Sequence, residues 1–142
     1  MRKPLIGINS DLNDSGKGHL YRHPYLFVYT NYFDAITQAG GIPVLLPFLE
    51  DDDDVVEMIS RLDGLLLIGC LGDIDPKIYQ GQRAEAENLM PERRQNFDLK
   101  LIKRATEYLN LRVKRLPSWV LGSDNTYRSG WLTSPLLLVK SY

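Results

Sequence analysis

The sequence predicts one α/β domain built on a parallel sheet with helices on both faces. Three observations carry this. Short apolar runs of strand length alternate with stretches whose apolar residues recur every three or four positions. The order is strand, helix, strand, helix, strand, loop, helix, the pattern that gives parallel strands joined by crossover helices. Finally, 142 residues suit a single domain with a substantial core, and there is no internal repeat or low-complexity segment beyond one aspartate run.

Each element has its own reason. Pro4-Leu5-Ile6-Gly7-Ile8 is a short buried strand, and Asn9 to Gly18, rich in Asn, Asp, Ser and Gly, reads as a loop. Pro24 suits a first helical turn. From there Tyr25, Val28, Tyr29, Tyr32, Ala35, Ile36 and Ala39 share one face, and Gly40-Gly41 ends the helix. Ile42 to Leu46 is the second strand. Asp51 to Leu62 is a second helix with Val55, Met58, Ile59 and Leu62 inward, followed by a third strand, Gly64 to Ile68. Gly81 to Met90 is polar and reads as an exposed loop. Pro91 to Leu109 carries the strongest helical pattern, through Phe97, Leu101, Ile102, Ala105, Tyr108 and Leu109.

Composition narrows the functional classes. A net charge of -1 with 25% charged residues gives no basic surface for nucleic acid or an anionic membrane. No apolar run reaches the length of a membrane span, and Met1-Arg2-Lys3-Pro4 lacks the apolar stretch of a signal peptide. The single cysteine, Cys70, excludes an internal disulfide and fits a reducing compartment. The expectation is therefore a cytoplasmic protein with no nucleic-acid or membrane partner. Asp51 to Asp54 reads as a helix start, where carboxylates meet the helix dipole, and not as a metal site. Gly16-Lys17-Gly18-His19 lacks the spacing of a phosphate loop, and His19 and His23 read as loop residues. No metal and no cofactor is expected.

In parallel α/β sheets ligands bind beyond the carboxyl ends of the strands, which places the expected chemistry at the turn Gly69 to Pro76. Glycines there allow close approach, and successive N–H groups can face a developing negative charge. A strand can also leave a sheet through such a turn with no function attached. Gly69, Cys70, Gly72, Asp73, Asp75 and Pro76 are the candidate residues.

Four stretches carry a resemblance: "YFDAITQAGGIPVLLP" from Tyr32 to Pro47, then "LDGLLLIG", "GDIDPKIYQG" and "RRQNFDLKLIKRA". Together, over residues 4 to 110, they resemble the first half of the class I glutamine amidotransferase-like hydrolases, specifically the γ-glutamyl-γ-aminobutyrate hydrolase (peptidase C26) family. The resemblance implies a flavodoxin-like three-layer sandwich and hydrolysis of a γ-glutamyl amide by a Cys-His-Glu triad. It also implies a small-molecule γ-glutamyl substrate and a place in polyamine and putrescine catabolism. After the third strand the family pattern is Gly-Gly-x-Asp-[Val/Ile]-x-Pro, whose second glycine helps form the oxyanion hole. Here Gly69-Cys70-Leu71-Gly72-Asp73-Ile74-Asp75-Pro76 is one residue longer. By this resemblance Cys70 belongs to the oxyanion turn and substrate wall and does not attack substrate.

The departures matter as much. The nucleophile motif Gly-Ile-Cys-Arg-Gly is absent, and after residue 110 there is neither cysteine nor histidine, so no catalytic residue is assigned. In the family's Arg-Asp-x-Phe-Glu, Arg94 matches the arginine, Gln95 replaces the aspartate, and Asp98 replaces the glutamate with its charge kept. Residues 111 to 142 read as an atypical tail that is a candidate for an out-of-frame end. Read one base early, Leu116 to Val120 can give the strand that precedes the nucleophile, but the codon that should encode cysteine cannot. The expectation is a sheet incomplete at its C-terminal end, with apolar surface and an open edge that favour a homo-oligomer, a second polypeptide or poor solubility. Two function classes stay open: a γ-glutamyl amide hydrolase fragment inactive alone, or a non-catalytic α/β partner-binding module or gene remnant.

Overall fold

The computed structural model describes residues 2–14, 23–70, 72–79 and 88–108, together with the backbone of 111–115 and 136–140. The strands are β1 (Leu5–Ile8), β2 (Asp11–Asn13), β3 (Tyr25–Phe27), β4 (Ile42–Leu45), β5 (Gly64–Leu67), β6 (Leu111–Arg115) and β7 (Leu136–Lys140). The helices are α1 (Thr30–Gln38), α2 (Asp52–Ser60) and α3 (Glu92–Tyr108), with one 3₁₀ turn at Pro76–Tyr79.

The main sheet has the order β4-β1-β5-β7-β6. β4, β1 and β5 are parallel, with Gly7 opposite Val44 on one side and Leu65 on the other. This is the expected α/β class. β7 then runs antiparallel to β5, Leu65 opposite Leu138, and β6 antiparallel to β7. The edge of β5 that the sequence leaves open is therefore paired by the tail.

Period-two alternation sorts β5 between two cores. Leu65 and Leu67 face a cluster with Val55, Ile59, Leu62, Phe97, Leu101 and Ala105 from the α2 and α3 side. Leu66 and Ile68 face the opposite cluster with Ile6, Ile8, Tyr32 and Ile36, on the α1 side. Being covered on both faces, β5 is apolar throughout. Gly7 is small for a packing reason: a Cβ there would lie 2.5 Å from Leu62 Cδ1. At the start of β1 and β5, Asp63 accepts from the Leu5 N–H at 2.8 Å and pairs with Arg2 at 2.6 Å.

The second helix begins as expected. Asp51 caps it, its carboxylate accepting from the N–H groups of Asp53 and Asp54 at 2.8 and 3.1 Å. Gly40 takes φ +87°, the left-handed value a helix end favours. Two local expectations are corrected. Tyr25 to Phe27 is strand, not helix, and pairs antiparallel with β2 inside the stretch read as loop. The first helix consequently starts at Thr30, not near Pro24. The long-range pairing of β2 with β3 decides this, and it leaves no local periodic signature. Gly16 to His19 lie outside the described residues, whereas His23 is exposed. No helix among the described residues is long and apolar enough to cross a membrane.

Candidate functional site

The parallel strands bring three segments to one end of the sheet: Asn9 to Asp11 after β1, Ile68 to Gly72 after β5, and the first turns of α3. Arg94 on α3 sits at their centre and is fully buried. Its Nη2 donates to the carbonyls of Ile68 at 3.3 Å and Gly69 at 2.9 Å. Its Nε donates to Asp98 Oδ2 at 3.2 Å, one helical turn on, and Nη1 forms an ion pair with Asp11 Oδ1 at 2.5 Å. Asn9, also buried, completes the network: its amide donates to Asp98 at 2.9 Å, and its oxygen accepts the Ile68 N–H at 2.7 Å.

A buried arginine is tolerated only if its charge is matched and its donors are used. Burial works against the Arg94 charge, but the flanking Asp11 and Asp98 outweigh it and hold the guanidinium protonated. Burial pushes the Asp98 carboxyl above its ordinary value, opposed by the Asn9 hydrogen bond and the Arg94 charge.

The turn after β5 is framed from several directions. Gly72 lies against the backbone of the segment before α3, where an added Cβ would come within 2.7 Å of the Met90 nitrogen. Asp73 bridges that same segment, donating to Asn88 O at 2.9 Å and accepting from Met90 N at 2.8 Å. Gln95 accepts the Asp75 N–H at 2.7 Å, and the Asp75 carboxylate accepts from Lys77 N at 3.0 Å, capping the 3₁₀ turn that opens with buried Pro76.

Two clefts border this turn. One, of about 10 Å³ and so only wide enough for a single water, is lined by Asp11, Phe27, Tyr29, Tyr32, Gly69 and Cys70 among others. The second, of about 300 Å³, includes Asp11, Phe27, Cys70, Gly72, Asn88 and Leu89. Of the six candidate residues, Gly69, Cys70 and Gly72 line a cleft; Asp73, Asp75 and Pro76 lie outside both linings and shape the turn's far side. Leu71 lies outside the described residues.

The Cys70 thiol accepts a hydrogen bond from the Gly72 N–H at 3.3 Å and lies 3.9 Å from Asp11 Oδ1. Burial pushes its pKa up, beyond what the Arg94 charge and the Gly72 hydrogen bond pull back. An activated nucleophilic cysteine shows the opposite shift. Among the described residues no group of three or more His, Cys, Asp or Glu is arranged to hold a metal.

Asn9 and Asp11 escape sequence reasoning because they fall in a stretch that reads as an ordinary loop. Their signal is the i, i+4 pair Arg94 and Asp98, two opposite charges on a helix face that must be buried. Such a pair implies further polar partners from another element.

The sequence model of the peptidase C26 family matches residues 4–109. Over 106 residues the chain is 36% identical to a glutamine amidotransferase-like protein of Rickettsia prowazekii (strain Madrid E), covering 74% of this chain and 37% of that protein. Over 94 residues it is 30% identical to a γ-glutamyl-γ-aminobutyrate hydrolase of Escherichia coli O157:H7, covering 66% of this chain and 35% of that protein. The chain thus spans little more than a third of the length of these curated relatives.

Proposed function

The chain belongs to the peptidase C26 family, and on that premise we propose that residues 4–109 form the oxyanion-side wall of a γ-glutamyl amide hydrolase site whose nucleophile lies outside these residues. The observation that carries this reading is the position of Gly69, Cys70 and Gly72. They line clefts at the carboxyl end of β5, where parallel sheets bind ligands.

The division of labour follows from the residues present. Attack on an amide carbon needs an activated nucleophile and a base in hydrogen-bond reach. Cys70 is the only cysteine, its thiol is pushed up by burial, and both histidines precede residue 24. The Gly69 and Cys70 N–H groups of the turn suit the other requirement, stabilising charge on the amide oxygen as the carbon becomes tetrahedral. The attacking group and its base are then supplied by further polypeptide, and these residues alone are inactive. The substrate is the γ-glutamyl amide of a small amine, the class met in putrescine catabolism, and the single cysteine suits a reducing cytoplasm.

Titration of ¹⁵N-labelled protein with γ-glutamyl-γ-aminobutyrate tests this. The amide signals of Gly69, Cys70 and Gly72 should move progressively and saturate. Signals that stay fixed at the turn, or move only elsewhere, contradict the reading.

A further inference from the structure

We propose that Arg94 is the positioning residue of the turn after β5: holding the Ile68 and Gly69 carbonyls on one side, it directs the Gly69 and Cys70 N–H groups to the other, where they form an anion-binding pair. The identity of the group the pair takes, the γ-glutamyl amide oxygen that gains negative charge as its carbon becomes tetrahedral, rests on the reading above; the orientation of the pair does not.

A trans peptide is planar, with its C=O and the following N–H pointing in opposite directions, and the chain has no cis peptide among its described residues. Fixing the Ile68 carbonyl therefore fixes the Gly69 N–H, and fixing the Gly69 carbonyl fixes the Cys70 N–H. One nitrogen, Arg94 Nη2, takes both carbonyls. The preceding peptide is fixed too, because Asn9 accepts the Ile68 N–H.

Among the described residues neither the Gly69 nor the Cys70 N–H has an acceptor. Both residues line the cleft with Phe27, Tyr29 and Tyr32, and Arg94 does not. The guanidinium is itself immobilised through Asp98 on one edge and Asp11 on another, with Asn9 steadying Asp98. Its planar fork can serve two carboxylates and two carbonyls at once, which a lysine ammonium cannot do with the same directions.

Two variants of the whole chain test this by ¹⁵N–¹H spectra and γ-glutamyl-γ-aminobutyrate titration. Arg94→Lys keeps the charge and loses the fork; Asp98→Asn keeps the size but removes the carboxylate charge and one of the two oxygens that accept from Arg94 Nε and Asn9. Without ligand, Arg94→Lys should displace the Gly69 and Cys70 amide signals while those of Leu65 and Ile59 in the core stay in place. Its affinity for the ligand should fall about tenfold, the scale of one well-aligned hydrogen bond. A residue that only stabilises the fold would lower the melting temperature and leave the affinity of the folded protein intact. Asp98→Asn should move the same two amides by less, and it decides the question if Arg94→Lys does not fold. Gly69 and Cys70 signals that superimpose on those of the unaltered protein overturn the proposal. If the variants displace both signals but the unaltered protein ignores the ligand, the positioning role stands and the hydrolase reading fails.

Discussion

Gly72 is small for reasons of space. A Cβ there would meet backbone, 2.7 Å from Met90 N and 2.9 Å from Leu89 C, and backbone cannot swing aside as a flexible side chain can. Gly72→Ala should therefore destabilise the protein by about 1–3 kcal/mol, the usual cost of overpacking, read from denaturant midpoints. An unchanged midpoint would mean that the segment before α3 is not seated on the turn. Cys70, two residues earlier, should alkylate with a pH profile displaced above that of a free thiol, because burial outweighs the Arg94 charge; a profile displaced below it would point to an activated cysteine. At this scale the sequence is half legible. Arg94, Phe97 and Asp98 are recognisable as a motif, but the Arg94 partners include the carbonyls of Ile68 and Gly69, and a carbonyl looks the same in every residue.

Among the elements, α3 does the most positioning, since it carries Arg94, Gln95 and Asp98 and also packs on the sheet. Phe97 is 2% exposed and meets the Phe48 ring with centroids 5.0 Å apart. Phe97→Ala should cost about 3–5 kcal/mol through the cavity it leaves, measured by chemical denaturation. Polar contacts tie α2 to α3: Asp52 pairs with Arg104 and, at 3.3 Å, with Lys100. The Arg104 hydrogen bond, joined by Lys100, holds the Asp52 carboxyl below its ordinary value of 3.8. A carboxylate depressed in the folded state adds stability above its unfolded pKa and loses it as pH falls through the folded one. The melting-temperature gap between the protein and Asp52→Asn should thus be present at about pH 6 and close toward about pH 2. A gap that persists in acid would mean the ion pair is not its source. Elements with full periodicity, α2, α3 and β5, are legible from sequence. The start of α1 is not: Tyr25 and Val28 satisfy helical spacing as well as Tyr25 to Phe27 satisfies a strand, and pairing with β2 settles it.

For the whole molecule, β7 is the element that most changes the sequence-based expectation. Leu136 to Val139 pair with β5 from Leu67 back to Gly64, occupying an edge that would otherwise template association. Removing residues 136–142 should raise the scattering mass across a concentration series, and an unchanged mass would contradict the β5–β7 pairing. Residues 4–109 are legible as part of the family because their apolar runs and turn motifs are local; the antiparallel return of the tail is a long-range choice without such a pattern. The central claim is that these residues build the wall of a γ-glutamyl amide site and hold no nucleophile of their own. It is tested most directly by glutamate release from γ-glutamyl-γ-aminobutyrate, with the purified chain and Cys70→Ser compared against a no-protein control. We predict no release above the control from either protein; release by the unaltered chain that disappears in Cys70→Ser would make Cys70 the nucleophile and contradict the account.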